Sequence, residues 1–331
     1  MLKTYLDIVK ECDNFPYYTT NPEHYKSFLE NYYAFKVSTF PSTLGHVPRS
    51  LVPEFVYTDS PWEINHDTQE LILSLKHDPN ATNKNDYNPS NESTYLTTLL
   101  ASSLKHLSTA STHPLLTTLQ KTWRNEPFPI HSPEQIHLCN IERSASALFG
   151  LLTTGVQLTC YTTSSTGLKL WIARRSRTKQ TYPGMLDSTA AGGLDSGLAP
   201  FEGVVRETVE EASLSESFVR EKIRSVGALS YYHVMPALPS LNGIGLLQPE
   251  IEYVYEMELE GGVVPIPGDS EVEKFYLWGV EEVKGALGRG EFKFNSAIVV
   301  VDFFVRHGVI TAENEGGYFE ILSRLHRRLG L

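Results

Sequence analysis

The stretch that decides the fold covers residues 190–214 and reads AAGGLDSGLAPFEGVVRETVEEASL. Its first part is rich in glycine and predicts a loop. Pro200 then suits the first turn of a helix, where its missing N–H is not needed. Glu207, Glu210 and Glu211 follow at spacings of three and four residues. Their side chains are therefore expected to share one face of that helix.

The opposite face of this predicted helix carries Val205, Val209 and Ala212, roughly 150° around the axis at about 100° per residue, and is expected to pack on a core. Like charges on one face repel each other, and a divalent cation reverses that effect. Oxygen ligands on a rigid helix, with positions left for water and phosphate, suit Mg²⁺ or Mn²⁺. A solvated acidic helix face is the alternative interpretation.

The composition limits the classes of partner. The chain has 331 residues, 41% of them hydrophobic, and a net charge of −11 from 28 basic and 39 acidic residues. An acidic chain of this kind is a poor surface for nucleic acid or an anionic membrane. We therefore expect neither partner, and an anionic substrate must be met by a metal ion or by a local cluster of cations.

The expected location is cytoplasmic, with a mitochondrial one left open. No apolar run approaches the length of a membrane span, and Asp7, Glu11 and Asp13 argue against an arginine-rich transit peptide. The cysteines Cys12 and Cys139, together with Cys160, are scattered without metal-ligand spacing. Sparse and odd in number, they indicate free thiols in a reducing compartment.

The order of patterns along the chain predicts an α+β protein with two domains. We place a smaller mixed α/β domain at 1–140 and the domain with the glycine-rich loop at 141–331. Alternating and helical apolar patterns predict helices over 25–35, 94–107 and 297–306, and an edge strand over 51–57. Residues 77–93, rich in Asp, Asn, Pro and Ser, predict a surface loop.

The spacing in the first stretch resembles the Nudix box, in which Gly, five residues, Glu and seven residues precede Arg-Glu-U-x-Glu-Glu-x-Gly-U, with U aliphatic. Positions that match are Gly192, Arg206, Glu207, Glu210, Glu211 and Leu214. Positions that depart are Leu198 for the first Glu, Thr208 for an aliphatic residue and Ser213 for the last Gly. Since the first Glu is missing, Glu202, one turn before Arg206, is our candidate to support that arginine.

Further segments resemble one subfamily, the thiamine-pyrophosphokinase-related Nudix hydrolases of fungi and plants. They are TWRNE at 122–126, YPGMLD at 182–187, QPEIEYVY at 248–255 and FKFN at 292–295. The resemblance implies a Nudix α/β/α sandwich preceded by a smaller mixed α/β domain. It also makes Ser213 a trait of the subfamily.

The resemblance implies a reaction, the metal-dependent hydrolysis of a diphosphate linked to an organic moiety. The implied substrates are thiamine diphosphate and its damaged forms, oxothiamine and oxythiamine diphosphate, with the monophosphate and phosphate as products. Two alternatives stay open: an ADP-ribose or nucleotide-sugar diphosphatase, and a Nudix-fold binding module without turnover. The partner is a small-molecule diphosphate, and the sequence leaves monomer and homodimer open.

The predicted catalytic residues are Arg206, Glu207, Glu210 and Glu211. Glu207 and Glu211 are the predicted metal ligands, with Glu210 as a third ligand or in the second shell. The resemblance adds the carbonyl of Ala191. The general base is open between Glu210, Glu271 and Glu273.

The predicted substrate-binding residues come from two groups. The densest basic cluster of this acidic chain contains Arg174 and Arg175, together with Arg177 and Lys179, and is expected to contact phosphate. Aromatic residues of the following strands are expected to stack on a heteroaromatic ring. The candidates are Tyr231, Tyr232, His233, Tyr253 and Tyr255, of which Tyr231 and Tyr253 are the preferred ones.

Overall fold

The computed structural model describes residues 2–75, 91–165, 167–260 and 262–329. The first part of the chain contains four helices, six strands and a short helix α5 within those residues. Their bounds are α1 (Tyr5–Cys12), α2 (Pro22–Leu29), β1 (Tyr32–Val37), β2 (Phe40–Pro48), β3 (Trp62–Asn65), β4 (Glu70–Leu73), α3 (Glu92–Ala110), α4 (Pro114–Thr122), β5 (Pro127–His131), β6 (His137–Glu142) and α5 (Arg143–Ser146).

The second part continues with seven strands and five helices within the described ranges. Their bounds are β7 (Thr153–Ser164), β8 (Gly167–Arg175), β9 (Leu186–Asp187), β10 (Ala190–Gly193), α6 (Pro200–Ala212), α7 (Glu216–Lys222), β11 (Arg224–Val234), β12 (Leu247–Glu258), β13 (Val272–Gly279), α8 (Val280–Arg289), α9 (Phe294–Arg306) and α10 (Tyr318–Leu325). The chain is a mixed α/β protein, as predicted.

The strands of the second part form one sheet in the order β11-β12-β7-β8-β13, with β10 paired to β7 and β9 paired to β8. Strands β12 and β7 are parallel, and the other pairs are antiparallel. Helices α6 and α7 bury Val204 and Val219 on one face of this sheet. Helices α8, α9 and α10 cover the other face. The α/β/α sandwich is confirmed.

Helix α1 packs on the second part of the chain. Ile8, Val9 and Cys12 lie in the same core as α9 and α10, because these apolar residues line one side of the helix. The helix begins with a capping box, in which Thr4 and Asp7 exchange side-chain and backbone hydrogen bonds. The division at residue 140 stays a prediction, but the first segment of the predicted N-terminal domain contributes to the sandwich.

A buried ion pair holds the end of α1 against the far end of the chain. Asp13 is 1% exposed and accepts from Nη1 of Arg327 at 3.0 Å, while Arg327 is itself 7% exposed. The same guanidinium donates to the carbonyls of Phe15 and Pro16, and Asp13 also accepts the N–H of Tyr232. The cost of burying these polar groups is therefore offset by ion pairing and hydrogen bonds.

The first part has its own core between a four-stranded sheet, of order β2-β1-β4-β3, and helix α3. Leu96, Leu100 and Leu104 of α3 are buried there, which confirms the helix predicted over 94–107. The β5–β6 hairpin extends from this core towards the sheet of the second part, since Pro127 accepts a hydrogen bond from the N–H of Ser196.

Two predicted elements are wrong. Residues 51–57 form no edge strand, because the chain turns in a 3-10 helix over Arg49–Phe55 with Pro53 inside it. The helix predicted over 25–35 ends at Leu29 and gives way to β1, whose alternating burial is that of a strand. The helix predicted over 297–306 is confirmed as α9. Of the loop predicted over 77–93, residues 77–90 lie outside the described residues.

Among the residues that are described, none of the helices combines the length and apolar character that crossing a bilayer requires.

Candidate metal and phosphate site

Helix α6 forms where the sequence predicts it. Pro200 occupies its first turn, and Val204, Val205 and Ala212 are buried. Val209, predicted to pack, is instead 37% exposed, and Thr208 is buried in its place. The hydroxyl of Thr208 donates to the carbonyl of Val204 at 2.6 Å, so this polar residue satisfies its hydrogen bond within the helix. Its departure from the aliphatic pattern is thereby explained.

The glycine-rich segment forms strand β10, which lies against the carboxylate face of α6. A Cβ at Gly192 would lie only 2.2 Å from Cδ of Glu207, so this close approach requires glycine. The backbone N–H of Ala191 donates to Oε2 of Glu211 at 2.9 Å. Glu207 and Glu211, two of the predicted metal ligands, therefore both lie against β10, which contains Ala191. Glu210 is exposed.

Burial makes the two inner carboxylates hard to ionise. Burial raises the pKa of Glu207, and the charges of Glu210 and Glu271 raise it further. Burial likewise raises the pKa of Glu211 well above its usual value, with Asp187 and Glu207 adding to the effect. A divalent cation beside them would stabilise the ionised forms.

The donor set fits Mg²⁺. Among the described residues, no three His, Cys, Asp or Glu side chains are already gathered as a metal cluster. Mg²⁺ is commonly held by one or two carboxylates and keeps several waters and phosphate oxygens as its other ligands. Glu207 and Glu211, with the backbone of Ala191 beside them, offer such a partial set.

Asp195 supports Arg206, which corrects our expectation for Glu202. Nη1 of Arg206 donates to Asp195 at 3.0 Å, and Nη2 donates to Glu207 at 3.0 Å. Glu202 instead forms two hydrogen bonds with Arg220, because its side chain points towards α7. Sequence reasoning missed Asp195, since no spacing rule connects it to Arg206.

Leu198 has become part of the packing between the loop and α6. It is half-buried and contacts the core on that face of the sheet. A Cβ at Gly203 would lie 2.4 Å from Cδ2 of Leu194 and 3.6 Å from Cδ2 of Leu198. An apolar residue at 198 therefore fits its surroundings, and the arginine support comes from the loop instead.

Replacing Asp195 with asparagine is expected to lower kcat/KM about 10-fold or more, since a group that orients a metal ligand typically contributes 10- to 100-fold. The asparagine keeps the shape but removes the charge that fixes Arg206 beside Glu207. Steady-state kinetics of D195N and E202Q side by side check this. E202Q should stay within about twofold of the parent, and equal losses in both variants would contradict the assignment.

Ser213 ends α6 with left-handed backbone angles, φ 52° and ψ 30°. Glycine adopts this conformation most readily, whereas a side chain brings some strain. The glycine that the motif usually has at this position would suit the left-handed conformation. Ser213 adopts the same conformation at the end of α6.

The predicted basic cluster is used largely by the protein itself. Arg175 is buried and donates to Asp187 at 2.6 Å and to the carbonyls of Thr181 and Tyr182. Arg174 donates to the hydroxyl of Tyr276 and to the carbonyl of Gly184. These positions favour structural roles over phosphate binding, because consecutive residues of β8 point to opposite faces and both find partners there.

Lys179 acts on the acidic helix, since its positive charge lowers the pKa of the Glu211 carboxyl against the effect of burial. Its ammonium forms an ion pair with Glu271. Arg177 is largely exposed and lies 3.7 Å from Glu273. Both candidate bases outside the helix are thus paired with cations of this segment.

The two preferred tyrosines lie in different surroundings. Tyr231 is fully buried, and its hydroxyl donates to Glu250, so its ring packs in the core. Tyr253 is half-buried and lines a cleft with Phe128, Ile130, His131 and Thr154. The free volume inside this cleft is about 40 Å³, much smaller than a typical small-molecule site.

The cleft joins the two parts of the chain beside the glycine-rich strand. Phe128 and His131 come from the β5–β6 hairpin, and Thr154 comes from β7. Thr154 also accepts the backbone hydrogen bond of Leu194, directly after β10. The structure thus brings together Glu207, Glu211, Ala191 and Tyr253 around β10, and leaves Tyr231 and Arg175 in the interior.

Comparison with known families identifies this part of the chain. Residues 155–296 match the NUDIX domain family, and the match includes β10 and α6. This match agrees with the motif in the sequence and with the sandwich fold.

Curated relatives match a longer segment. The chain is 38% identical over 214 residues to the uncharacterized protein YJR142W of Saccharomyces cerevisiae, covering 63% of this chain and 62% of that protein. It is 34% identical to Nudix hydrolase 20, chloroplastic, and 33% identical to Nudix hydrolase 24, chloroplastic, both of Arabidopsis thaliana. These matches cover 62% and 61% of this chain and 53% of each relative. The chain therefore spans little more than half the length of the relatives it matches.

Among solved structures, DR0079 from Deinococcus radiodurans aligns over 53% of this chain and 97% of its own. The TM-score is 0.38 and the sequence identity 20%.

Proposed function

We propose that this protein is a metal-dependent diphosphatase that hydrolyses a diphosphate attached to an organic moiety. The observation that supports this most directly is the packing of Glu207 and Glu211 against β10. Glu211 is buried beside a backbone amide, and Glu207 next to it has Arg206 as its ion-pair partner; two carboxylates packed so closely are costly unless they serve a ligand. A NUDIX domain with Nudix hydrolases among its relatives supports the same activity.

The residues proposed to hold Mg²⁺ or Mn²⁺ are Glu207, Glu211 and the carbonyl of Ala191, with Glu210 as a further ligand or in the second shell. The metal would neutralise phosphate charge and lower the pKa of a bound water. Arg206 is proposed to orient Glu207 through their hydrogen bond. For the base that accepts a proton from the attacking water, we favour Glu210 and Glu271, because both charges act on Glu207.

For the substrate we propose thiamine diphosphate and its oxidised forms, oxothiamine and oxythiamine diphosphate. The subfamily resemblance of the sequence supports this head group. Phe128 and Tyr253 both line the cleft, and they offer aromatic surface on which a ring could stack. The net charge of −11 disfavours long polyanions such as RNA caps.

A side-by-side kcat/KM for thiamine diphosphate, oxothiamine diphosphate, ADP-ribose, a nucleotide sugar and a dinucleoside polyphosphate tests this proposal. We expect a thiamine compound to be hydrolysed best, with Mg²⁺ or Mn²⁺ required. If a nucleotide is preferred by tenfold or more, about 1.4 kcal/mol, the head group is wrong while the diphosphatase stands. If no compound is hydrolysed with either metal, the chain is a binding module instead.

A further inference from the structure

Arg143 reaches the glycine-rich strand from outside the matched NUDIX residues. It opens α5, twelve positions before the match begins at residue 155. A Cβ at Gly193 would lie 2.7 Å from Cζ of Phe128 and 3.5 Å from both Cζ and Nη2 of Arg143. The guanidinium therefore lies beside Gly193, two residues along β10 from Ala191, on the face of the strand opposite to the one that Gly192 turns towards Glu207.

The position of this guanidinium is fixed by its neighbours. Nη1 donates to Oε2 of Glu126 at 2.7 Å, and Cζ lies 5.2 Å from the centre of the Phe128 ring. The backbone N–H of Arg143 also donates to the carbonyl of Glu126. Glu142 stabilises the turn that carries Glu126, because its carboxylate accepts hydrogen bonds from the N–H groups of Arg124 and Asn125. Arg143 is thus placed before any ligand arrives.

Most hydrogen-bond donors of Arg143 are still open. An arginine offers five N–H donors. Across the described ranges, the bond to Glu126 is the single hydrogen bond that this guanidinium makes. The side chain is 38% exposed, so Nε and Nη2 can meet a ligand in solution. Carboxylates and phosphates are the ligands that match this planar, charged set of donors.

Two of the other cations near β10 are already paired. Arg206 is held between Asp195 and Glu207, and Lys179 is paired with Glu271. A diphosphate is doubly or more strongly charged, and it needs N–H donors that are still open. Arg143 is paired with Glu126 through Nη1, but its Nε and Nη2 make no hydrogen bond within the described residues.

We propose that Arg143 binds the phosphate oxygens of the substrate, with Glu126 and Phe128 as its positioning residues. Two strand steps of about 3.3 Å and the approach to Gly193 put the guanidinium within about 12 Å of the Ala191 backbone. Such a distance can be spanned by a metal–oxygen bond of about 2 Å, a diphosphate group and a charged hydrogen bond of about 2.8 Å placed end to end. This assignment rests on the proposed diphosphatase function.

The matched control is Arg220. It resembles Arg143 in exposure, ion pairing and contact with an aromatic ring, but none of its interactions within the described residues is with β10. Its side chain is also 38% exposed, it is paired with Glu202 at 2.6 Å, and it lies over an aromatic ring, that of Phe201. It belongs to α7 and interacts with the opposite side of α6. R220A therefore reports the effect of losing a paired surface arginine without changing the site.

The first experiment measures kcat/KM of the full chain with thiamine diphosphate and oxothiamine diphosphate. R143A is expected to lose about 10- to 100-fold, mainly through KM, because a charged, two-pronged contact is lost. R143K, which keeps the charge but not the fork, should fall between R143A and the parent. R220A should match the parent, and equal values for R143A and R220A would overturn the proposal.

The second experiment separates this proposal from the proposed function. Binding of inorganic pyrophosphate in the presence of Mg²⁺ is measured by calorimetry, and Mn²⁺ binding alone is measured on the same variants. We expect R143A to bind pyrophosphate at least tenfold more weakly than R220A, with equal Mn²⁺ affinity. This comparison decides the role of Arg143 even if no organic diphosphate is hydrolysed. Equal pyrophosphate affinities, or no pyrophosphate binding by the parent, would overturn the role; R143K replaces R143A if the latter does not fold.

Discussion

Replacing Glu207 or Glu211 with glutamine is expected to lower kcat/KM at least about 100-fold. Residues that only hold a metal ligand in place already contribute 10- to 100-fold, and a ligand itself should contribute more. Glutamine keeps the size and most hydrogen-bonding capacity but removes the negative charge. The measurement is turnover of the best diphosphate at limiting Mg²⁺. Activity near the parent level in either variant would show that the other carboxylates hold the metal.

The same variants should be more stable than the parent when metal is absent. The folded-state pKa of Glu211 is raised by burial, so its contribution to stability is present below the unfolded pKa of about 4.5 and is lost as the pH rises through the folded pKa. At neutral pH the ionised carboxyl therefore destabilises the apoprotein. Thermal unfolding in EDTA should show a higher midpoint for E211Q, with the difference vanishing at pH 4. A lower midpoint at pH 7 would contradict this.

Breaking the buried ion pair between Asp13 and Arg327 is expected to cost about 3–5 kcal/mol of folding free energy when Asp13 is removed, because the buried guanidinium of Arg327 loses its carboxylate. Removing Arg327 should cost less, since Asp13 keeps Arg324 at 3.4 Å. D13N and R327M each remove one charge while keeping much of the volume. Thermal and denaturant unfolding of the two variants measure the loss. The double variant should lose less than the sum of the single losses, since the pair is coupled.

A surface pair provides the control for this effect. Arg289 and Glu291 form an exposed ion pair at 2.7 Å, and such pairs contribute little because water screens them. R289M should leave the unfolding midpoint close to that of the parent. If D13N and R289M behave alike, the pair at Asp13 has no special role in holding α1.

The local sequence predicted the carboxylate face of α6, which packs against the glycine-rich strand. The shared face of Glu207 and Glu211 follows from helix periodicity, and glycine is required at 192 by the close approach to Glu207. Both features depend on residues that are near each other in the sequence. Helix α9 was predicted for the same reason, as a continuous apolar run with helical spacing. The Nudix fold resemblance was confirmed because its motif is local and dense.

Contacts made through space were less accessible to sequence reasoning. The partner of Arg206 comes from the loop, eleven residues earlier, and nothing in the spacing distinguishes Asp195 from Glu202. The basic cluster was predicted to be free because a sequence does not show that Arg175 faces Asp187 across two strands. Phe128 and Arg143 were missed because they reach the site from the preceding hairpin and the short helix after it.

Helix α1 is synthesised long before the residues that it packs on. Arg327 follows Asp13 by 314 positions, which at 5–20 residues per second amounts to about 16 to 60 s of translation. An eight-residue helix is too short to persist alone, so Ile8 and Val9 are buried only after α9 and α10 of the same core have been made. Helix α1 is therefore among the last of these elements to be packed. Until then its apolar side is a natural target for chaperones that act on nascent chains.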